Sequence, residues 1–352
     1  MKIHEKYMSR AIQIAQKGRI QSRPNPSVGC VVVLNDCILT EAHTSSYGGA
    51  HAEVNALKQI PIETDLSAAS LYVTLEPCNH FGKTPPCSHY IVERGVKNVI
   101  VGMVDPNPLV AEKGIAHLRK HGVSVQTGVL EKECQYLHRH FTCSILKSRP
   151  YIHLKWAQST DGFIAPKASL RTKDGRPFWI SNAESKQFAH LLRTQHQAIL
   201  IGSTTLLRDN AQLNVRLWKG PNPLRVIFWS NPEVSDLTIF NDNIPTLLLS
   251  KKDTKHSNFP EHIEVQKIKS GEEAIPLLFD ILSQKGIQSI LVEGGSKTLN
   301  SFIESGLYDE ITVIENKALK LQNGIKAPVF KKSSSVNIFK NGSDLISTYH
   351  YG

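Results

Sequence analysis

His51-Ala52-Glu53-Val54, followed by Glu76-Pro77-Cys78 and then Cys87, is the stretch on which the reading of this chain turns. One imidazole and two thiolates form the donor set that a borderline-soft Zn²⁺ prefers. Three protein ligands leave a fourth tetrahedral position for water, whose pKa a bound zinc lowers to about 7. If His51 opens a helix, Glu53 falls in its first turn and points into the site without ligating the metal. From there it takes a proton from water and hands it to a leaving amine. The spacing H-x-E…P-C-x-x-C is the signature of zinc deaminases. Here the cysteines stand farther apart, separated by Asn79-His80-Phe81-Gly82-Lys83-Thr84-Pro85-Pro86. That insert reads as a substrate-holding loop, with the prolines starting the helix that carries Cys87. A closed structural zinc, with His80 or His89 as fourth ligand, is the plain alternative.

Working outward, residues 4 to 18 carry Tyr7, Met8, Ala11, Ile12 and Ala15 at helical spacing, ended by Gly18. Arg23-Pro24-Asn25-Pro26 is a rigid turn before a buried strand, Cys30 to Leu34. A partner strand, Cys37 to Ala42, delivers His43, and a helix is expected over 52 to 60. The short apolar strand Leu71 to Leu75 puts Cys78 just past its C-terminal end, where ligands gather in open α/β sheets. A helix over 88 to 94, a strand over 98 to 102, the stiff loop Asp105-Pro106-Asn107-Pro108, a helix over 111 to 121, a strand over 123 to 125 and a helix over 130 to 146 complete the unit. This is a mixed sheet covered by helices.

A chain of 352 residues predicts two domains. Lys147-Ser148-Arg149-Pro150 reads as the joint, with domains over 1–147 and 148–352. The six cysteines form no disulfide framework, and Cys30, Cys37, Cys134 and Cys143 read as reduced thiols. With no apolar run long enough to cross a bilayer and no signal-peptide core after Met1, a cytoplasmic location is expected. The net charge of +10 favours anionic partners, either nucleic acid or phosphorylated small molecules. Lacking a Lys/Arg block, it does not select nucleic acid.

Beyond the joint, strands are expected at Tyr151 to Trp156, Ala198 to Ile201, Leu224 to Trp229, Thr246 to Leu249, Ile263 to Gln266 and Ser289 to Val292. Residues 165 to 176 and 209 to 216 read as polar loops. Helices are expected over 183 to 193, with Asn182 as N-cap, over 272 to 284 and over 297 to 304. Glu293-Gly294-Gly295 is a glycine turn between strand and helix, whose N–H groups suit a phosphate. No G-x-G-x-x-G opens a long βαβ unit, so a Rossmann domain is not indicated. The tail from about 330 to 352 reads as at most a closing strand.

Asn25-Pro26-x-Val28-Gly29, His51-Ala52-Glu53-Val54, Thr74-Leu75-Glu76-Pro77-Cys78, Gly82-Lys83-Thr84-Pro85-Pro86-Cys87 and Asp105-Pro106-Asn107-Pro108 resemble the bifunctional deaminase/reductase of riboflavin biosynthesis. Leu154-Lys155, Ser159-x-Asp161-Gly162, Trp179-Ile180, Arg193, Ile199 to Gly202, Asp209 to Arg216 and Val292 to Gly295 resemble its reductase half. The resemblance implies an α/β chain, a cytidine-deaminase-like three-layer α/β/α domain followed by a dihydrofolate-reductase-like α/β domain. It implies one Zn²⁺ per chain on His51, Cys78 and Cys87, with Glu53 catalytic. Asn25, His43, Lys83, Asp105 and Asn107 would hold the pyrimidine and its ribose phosphate. In the second domain Arg193, Leu213, Arg216 and Glu293 would contact substrate. Ala157, Trp179, Thr205, Asp209, Ser230 and Gly295 would contact NADPH, and Lys155 would lie near the ribose or take part in the chemistry.

The implied function is zinc-dependent deamination of 2,5-diamino-6-(5-phosphoribosylamino)pyrimidin-4-one, then NADPH-dependent reduction of the ribosyl group to ribityl. A homo-oligomer is expected, with no nucleic-acid or membrane partner. The chain departs from the family at Thr40-Glu41-Ala42, where glycines are common, at Ala211, where Pro is common, and at Trp229, where Asp is common. Two rivals are a nucleic-acid or nucleoside deaminase with a fused binding domain and a non-catalytic scaffold around a structural zinc.

Overall fold

The run Cys30-Val31-Val32-Val33 is buried on both sides, which places it inside a sheet rather than at an edge. The computed structural model describes residues 2–81, 85–167, 178–230, 237–252, 259–269 and 273–351, and its two units are Met1–Ser148 and Arg149–Gly352. In chain order the first unit comprises α1 (Ile3–Gly18), β1 (Gly29–Leu34), β2 (Cys37–His43), α2 (Ala52–Leu57), β3 (Ser70–Leu75), α3 (Cys87–Glu93), β4 (Asn98–Met103), α4 (Lys113–Lys120), β5 (Ser124–Thr127), α5 (Glu131–Leu137) and α6 (Arg139–Lys147). Its sheet has the order β2-β1-β3-β4-β5. Strand β1 is antiparallel to both neighbours, whereas β3, β4 and β5 are parallel.

That register gathers four chain ends at one edge. Gly29 opens β1 opposite His43, which closes β2. Leu75 closes β3 opposite Met103, which closes β4. The segments holding Asn25, His43, Cys78 and Asp105 therefore leave the sheet on the same side. Helix α2 is shorter than the sequence suggests, because the buried Arg94 guanidinium donates to the carbonyls of Leu57, Ile60 and Pro61 and ends it there. The helix expected over 130 to 146 is two helices. The break falls at His138, whose buried ring lies 3.1 Å from Thr74 Oγ1.

The second unit comprises β6 (Tyr151–Ser159), β7 (Phe163–Pro166), α7 (Ala183–Gln195), β8 (Ala198–Gly202), α8 (Ser203–Asp209), β9 (Leu224–Trp229), β10 (Thr246–Ser250), β11 (Ile263–Lys267), α9 (Ala274–Gln284), β12 (Ser289–Gly294), α10 (Ser296–Glu304), β13 (Glu310–Asn316), β14 (Gly324–Lys326), β15 (Val336–Asn341) and β16 (Asp344–His350). Nine strands lie in the order β11-β10-β9-β8-β12-β6-β13-β16-β15. Strands β11 through β13 are parallel, and β16 and β15 extend the sheet antiparallel. Successive side chains point to opposite faces. Leu200, Val226, Leu247 and Leu249 thus enter one apolar core, and Ile199, Ile201, Ile227 and Leu248 enter the other.

The structure departs from the sequence reading at several points here. Strand β6 runs on to Ser159, three residues past Trp156, because Val313 to Asn316 of β13 pair with its second half. Residues 163–166 form β7, paired with β14, where a loop from 165 is expected. The remainder of that loop, from 168, lies outside the described residues. Helix α8 fills the stretch between Gly202 and the Asp209 loop. The tail forms the β15–β16 hairpin, two strands instead of one.

Asn182 caps α7 as its sequence position predicts. Its side-chain oxygen accepts from Ser185 N (2.7 Å), and its amide donates to Asn341 O (2.6 Å) at the hairpin turn. Asn182→Ala is expected to lower the stability of the second unit by about 1 kcal/mol, read from urea midpoints. An unchanged midpoint would mean that water replaces the cap without cost.

Candidate active sites

His51 occupies the N-cap of α2 in extended backbone, and Cys87 opens α3 after Pro86. Cys78 lies just past the end of β3. These three loosely related positions converge: the ligand atoms of His51, Cys78 and Cys87 all lie within 4.8 Å of one another. His51 Nδ1 is 3.2 Å from Cys87 Sγ and 3.5 Å from Cys78 Sγ, so Nδ1 is the nitrogen that faces the sulfurs. Cys87 N donates to Cys78 Sγ at 3.4 Å, the usual backbone support of a thiolate ligand. The hydrogen bond from Cys87 and the nearby His51 hold the Cys78 thiol down, to about 4.

Among the described residues no fourth His, Cys, Asp or Glu joins the group. His89 stacks instead on His117, with ring centroids 4.0 Å apart. This removes His89 as the ligand of a closed structural zinc, and the donor set fits a metal with one position left for solvent.

Glu53 lies in the first turn of α2 and is only 3 % exposed. Its carboxylate is in hydrogen-bond contact with Cys87, and Oε2 is buried with no partner among the described residues. Burial pushes this carboxyl up to about 7, which suits a group that must both take and return a proton. A buried carboxylate oxygen left unsatisfied is costly, so its presence points to a role beyond packing.

The pyrimidine contacts implied by the resemblance are mostly assembled at the same edge. Asn25 precedes β1. His43 ends β2, its Nδ1 2.9 Å from Thr44 O, with its carbonyl held by Asn55 Nδ2 at 2.9 Å. Asp105 follows β4, and its half-buried carboxyl is raised by burial and by Glu76. Its Oδ1 accepts from Asn107 N at 2.8 Å. Lys83 lies outside the described residues. Asn55 and Glu76 tie these segments together; Glu76 falls inside the motif that ends at Cys78 but is given no role by it, and Asn55 lies in no motif.

In the second unit a cationic cluster closes on one carboxylate. Arg193 on α7 makes a two-pronged pair with Glu293 on β12 (2.9 and 2.8 Å), and Lys155 Nζ on β6 lies 3.9 Å from the same carboxylate. Register explains the meeting, since Leu154 pairs with Val292 and puts the next residues side by side. Burial alone would raise the Glu293 carboxyl, but Arg193 and Lys155 pull it down to about 2. Arg193 Nη1 also donates to Asn214 O, and Arg216 Nη1 to Asn214 Oδ1, both at 2.8 Å. Leu213, beside them, is buried in left-handed backbone (φ 52°). Arg216 N donates to His190 Nδ1 at 3.1 Å, so His190 and Asn214 fold the loop back onto α7. The sequence gives His190 no role and places Asn214 only within the loop over 209 to 216.

Of the residues expected to meet NADPH, Gly295 and Thr205 are brought together. Gly295 has φ 64°, and a Cβ there would stand 2.6 Å from Thr205 Oγ1, so the turn before α10 has room only for glycine. Ser230 follows β9 at the same strand edge. Ala157 lies on β6, half-buried, and Trp179 is 51 % exposed with Lys186 Nζ 4.2 Å from its ring centre. Asp209 closes α8, about 6 Å further along the axis than Thr205. The departure at Trp229 puts an indole into the second apolar core against Phe240.

Comparison with known proteins follows this division. Residues 1–103 match the cytidine and deoxycytidylate deaminase zinc-binding region, and residues 150–316 match the RibD C-terminal domain. Riboflavin biosynthesis protein RibD of Aquifex aeolicus is 38 % identical over 314 residues, covering 88 % of this chain and 86 % of that protein. The chain belongs to the RibD family. The Escherichia coli RibD is 33 % identical over 324 residues, 88 % of this chain and 86 % of that one. A diaminohydroxyphosphoribosylaminopyrimidine deaminase/5-amino-6-(5-phosphoribosylamino)uracil reductase from Thermotoga maritima superposes with a TM-score of 0.87 at 33 % identity, covering 99 % of both chains. RibD of Acinetobacter baumannii gives 0.85 at 28 %, again over 99 % of both. The first unit is thus the zinc-binding deaminase domain and the second the reductase domain of a bifunctional riboflavin-biosynthesis enzyme. No helix among the described residues is long and apolar enough to cross a membrane.

Proposed function

We propose that the chain deaminates 2,5-diamino-6-(5-phosphoribosylamino)pyrimidin-4-one and then reduces the ribosyl group of the product to ribityl with NADPH. The observation that carries the first step is the convergence of His51, Cys78 and Cys87 beside the buried Oε2 of Glu53, which has no partner among the described residues. A zinc ion held by those three residues, when bound, acidifies water to a pKa of about 7. Glu53 takes the proton of the attacking water and delivers it to the amine as the C–N bond breaks and the C–O bond forms, so that ammonia leaves. Asn25, His43, Asp105, Asn107 and Lys83 orient the ring and its ribose phosphate.

NADPH, when bound, supplies hydride to C1 of the ribose. The cradle at Gly295 and Thr205 supports this cofactor, with Ala157, Trp179, Asp209 and Ser230 as further contacts. Arg193, Arg216 and Lys155 give the second site a surplus of positive charge over Glu293, which supports an anionic phosphate ester. Leu213 and Glu293 fix the sugar.

A coupled assay tests the sequence of steps. With the diaminopyrimidine phosphate, zinc and NADPH, ammonia is expected before NADPH absorbance falls. A chelator should stop ammonia release yet leave NADPH oxidation intact when the deaminated intermediate is supplied. Oxidation of NADPH by the diamino substrate without ammonia would overturn the order.

A further inference from the structure

The carboxylate of Glu76 is 6 % exposed and is surrounded by backbone donors. Oε2 accepts from Asp105 N (3.2 Å) and Glu112 N (2.9 Å). Oε1 accepts from Gly114 N (2.9 Å) and Ile115 N (3.3 Å). Three of these donors form the N-terminus of α4, where Glu112 is the N-cap and Gly114 and Ile115 lie in the first turn. Such N–H groups have no acceptor within their own helix, and a negative charge there complements the helix dipole.

The remaining donor belongs to Asp105, which opens the Asp105–Asn107 loop and fixes Asn107 through its own Oδ1. On its other side Glu76 stands two residues from the zinc ligand Cys78. The two backbones also touch, because a Cβ on Gly114 would collide with the Pro77 carbonyl oxygen. One side chain thus joins the turn that carries a zinc ligand to the loop that follows β4.

We propose that Glu76 is a positioning residue of the deaminase, setting the Asp105–Asn107 loop against Cys78 and thereby the seat of the pyrimidine. This rests on the reading that Asp105 and Asn107 contact substrate. A carboxylate is needed because all four neighbours donate. Glutamine would turn an NH₂ group toward two N–H groups and leave them without an acceptor.

The test uses the full-length zinc-loaded chain with Glu76→Gln and, separately, Asn107→Ala. Three quantities are measured: backbone amide exchange, zinc content, and steady-state ammonia release from the diaminopyrimidine phosphate. In Glu76→Gln, amide exchange is expected to rise at least about tenfold at Asp105, Glu112, Gly114 and Ile115, with β3 and β4 unchanged. Zinc stays bound, KM rises about tenfold or more, and kcat changes by less than about threefold. Asn107→Ala should raise KM without altering exchange in α4.

Unchanged exchange at those four amides overturns the proposal. So does loss of zinc, or faster exchange throughout β3 and β4, because Glu76 would then hold the whole domain and not the loop. If Asn107→Ala raises KM while Glu76→Gln loosens the loop without moving KM, the positioning role alone fails. If Asn107→Ala leaves KM unchanged, the substrate reading fails and takes the proposal with it.

Discussion

Glu53→Gln is expected to cut ammonia release by about 10²- to 10⁴-fold, the usual contribution of a positioned acid–base group. The amide keeps the shape of the side chain, so the variant should still bind zinc through His51, Cys78 and Cys87. It cannot accept the water proton or return one to the amine. The internal control is the second domain: reduction of the supplied deaminated intermediate should proceed at the wild-type rate. Metal analysis and the two assays on one preparation decide the matter. A zinc-loaded Glu53→Gln enzyme that deaminates at full rate would remove Glu53 from the chemistry. The buried Oε2, without a partner among the described residues, would then need another account.

Glu293→Gln should have the largest effect on the second domain. Its carboxylate is the one anion that pairs with both Arg193 and Lys155 among the described residues, and these two cations are largely buried with it. A carboxyl lowered from 4.5 to about 2 contributes about 3 kcal/mol of stability at neutral pH. Because the folded value is the lower one, that contribution is complete above the unfolded value. It is lost as pH falls from 4.5 through about 2. Wild type and variant should therefore differ by about 3 kcal/mol at pH 7 and converge near pH 2. All four tryptophans, Trp156, Trp179, Trp218 and Trp229, lie in this unit, so urea unfolding followed by tryptophan fluorescence reports on it selectively. Reduction should also weaken by at least about tenfold, since unpaired Arg193 and Lys155 lose their fixed orientation. Equal stabilities at pH 7 would mean that solvent or Asn214 compensates the charge.

Much of the deaminase site was legible because its chemistry is written in short runs. His51 and Glu53 are two residues apart, and Cys78 and Cys87 flank one insert, so residue type and spacing mark a candidate donor set and a candidate proton carrier. The second domain was harder to read. Strand β14 and helix α8 escaped because their patterns are short, whereas β13 was missed although its seven residues carry the buried Ile311, Val313 and Ile314. The helix over 130 to 146 gave no sign of breaking, since what bends it is the reach of His138 to Thr74, far away in the chain. The core strands were easier, because continuous apolar runs such as Ile199 to Ile201 fit a parallel sheet buried on both faces.

The amino-acid sequence alone marked a donor set suited to a metal, a carboxylate suited to carry a proton, and two successive α/β units. These depend on residue type and local periodicity. Only the tertiary structure decided that Glu76 would clamp two loops, that His190 and Asn214 would fold the Arg216 loop, and that Arg193, Lys155 and Glu293 would meet. Those contacts join residues tens of positions apart. Strand order and register bring them together, and strand order is the property that a linear pattern of hydrophobic residues leaves open.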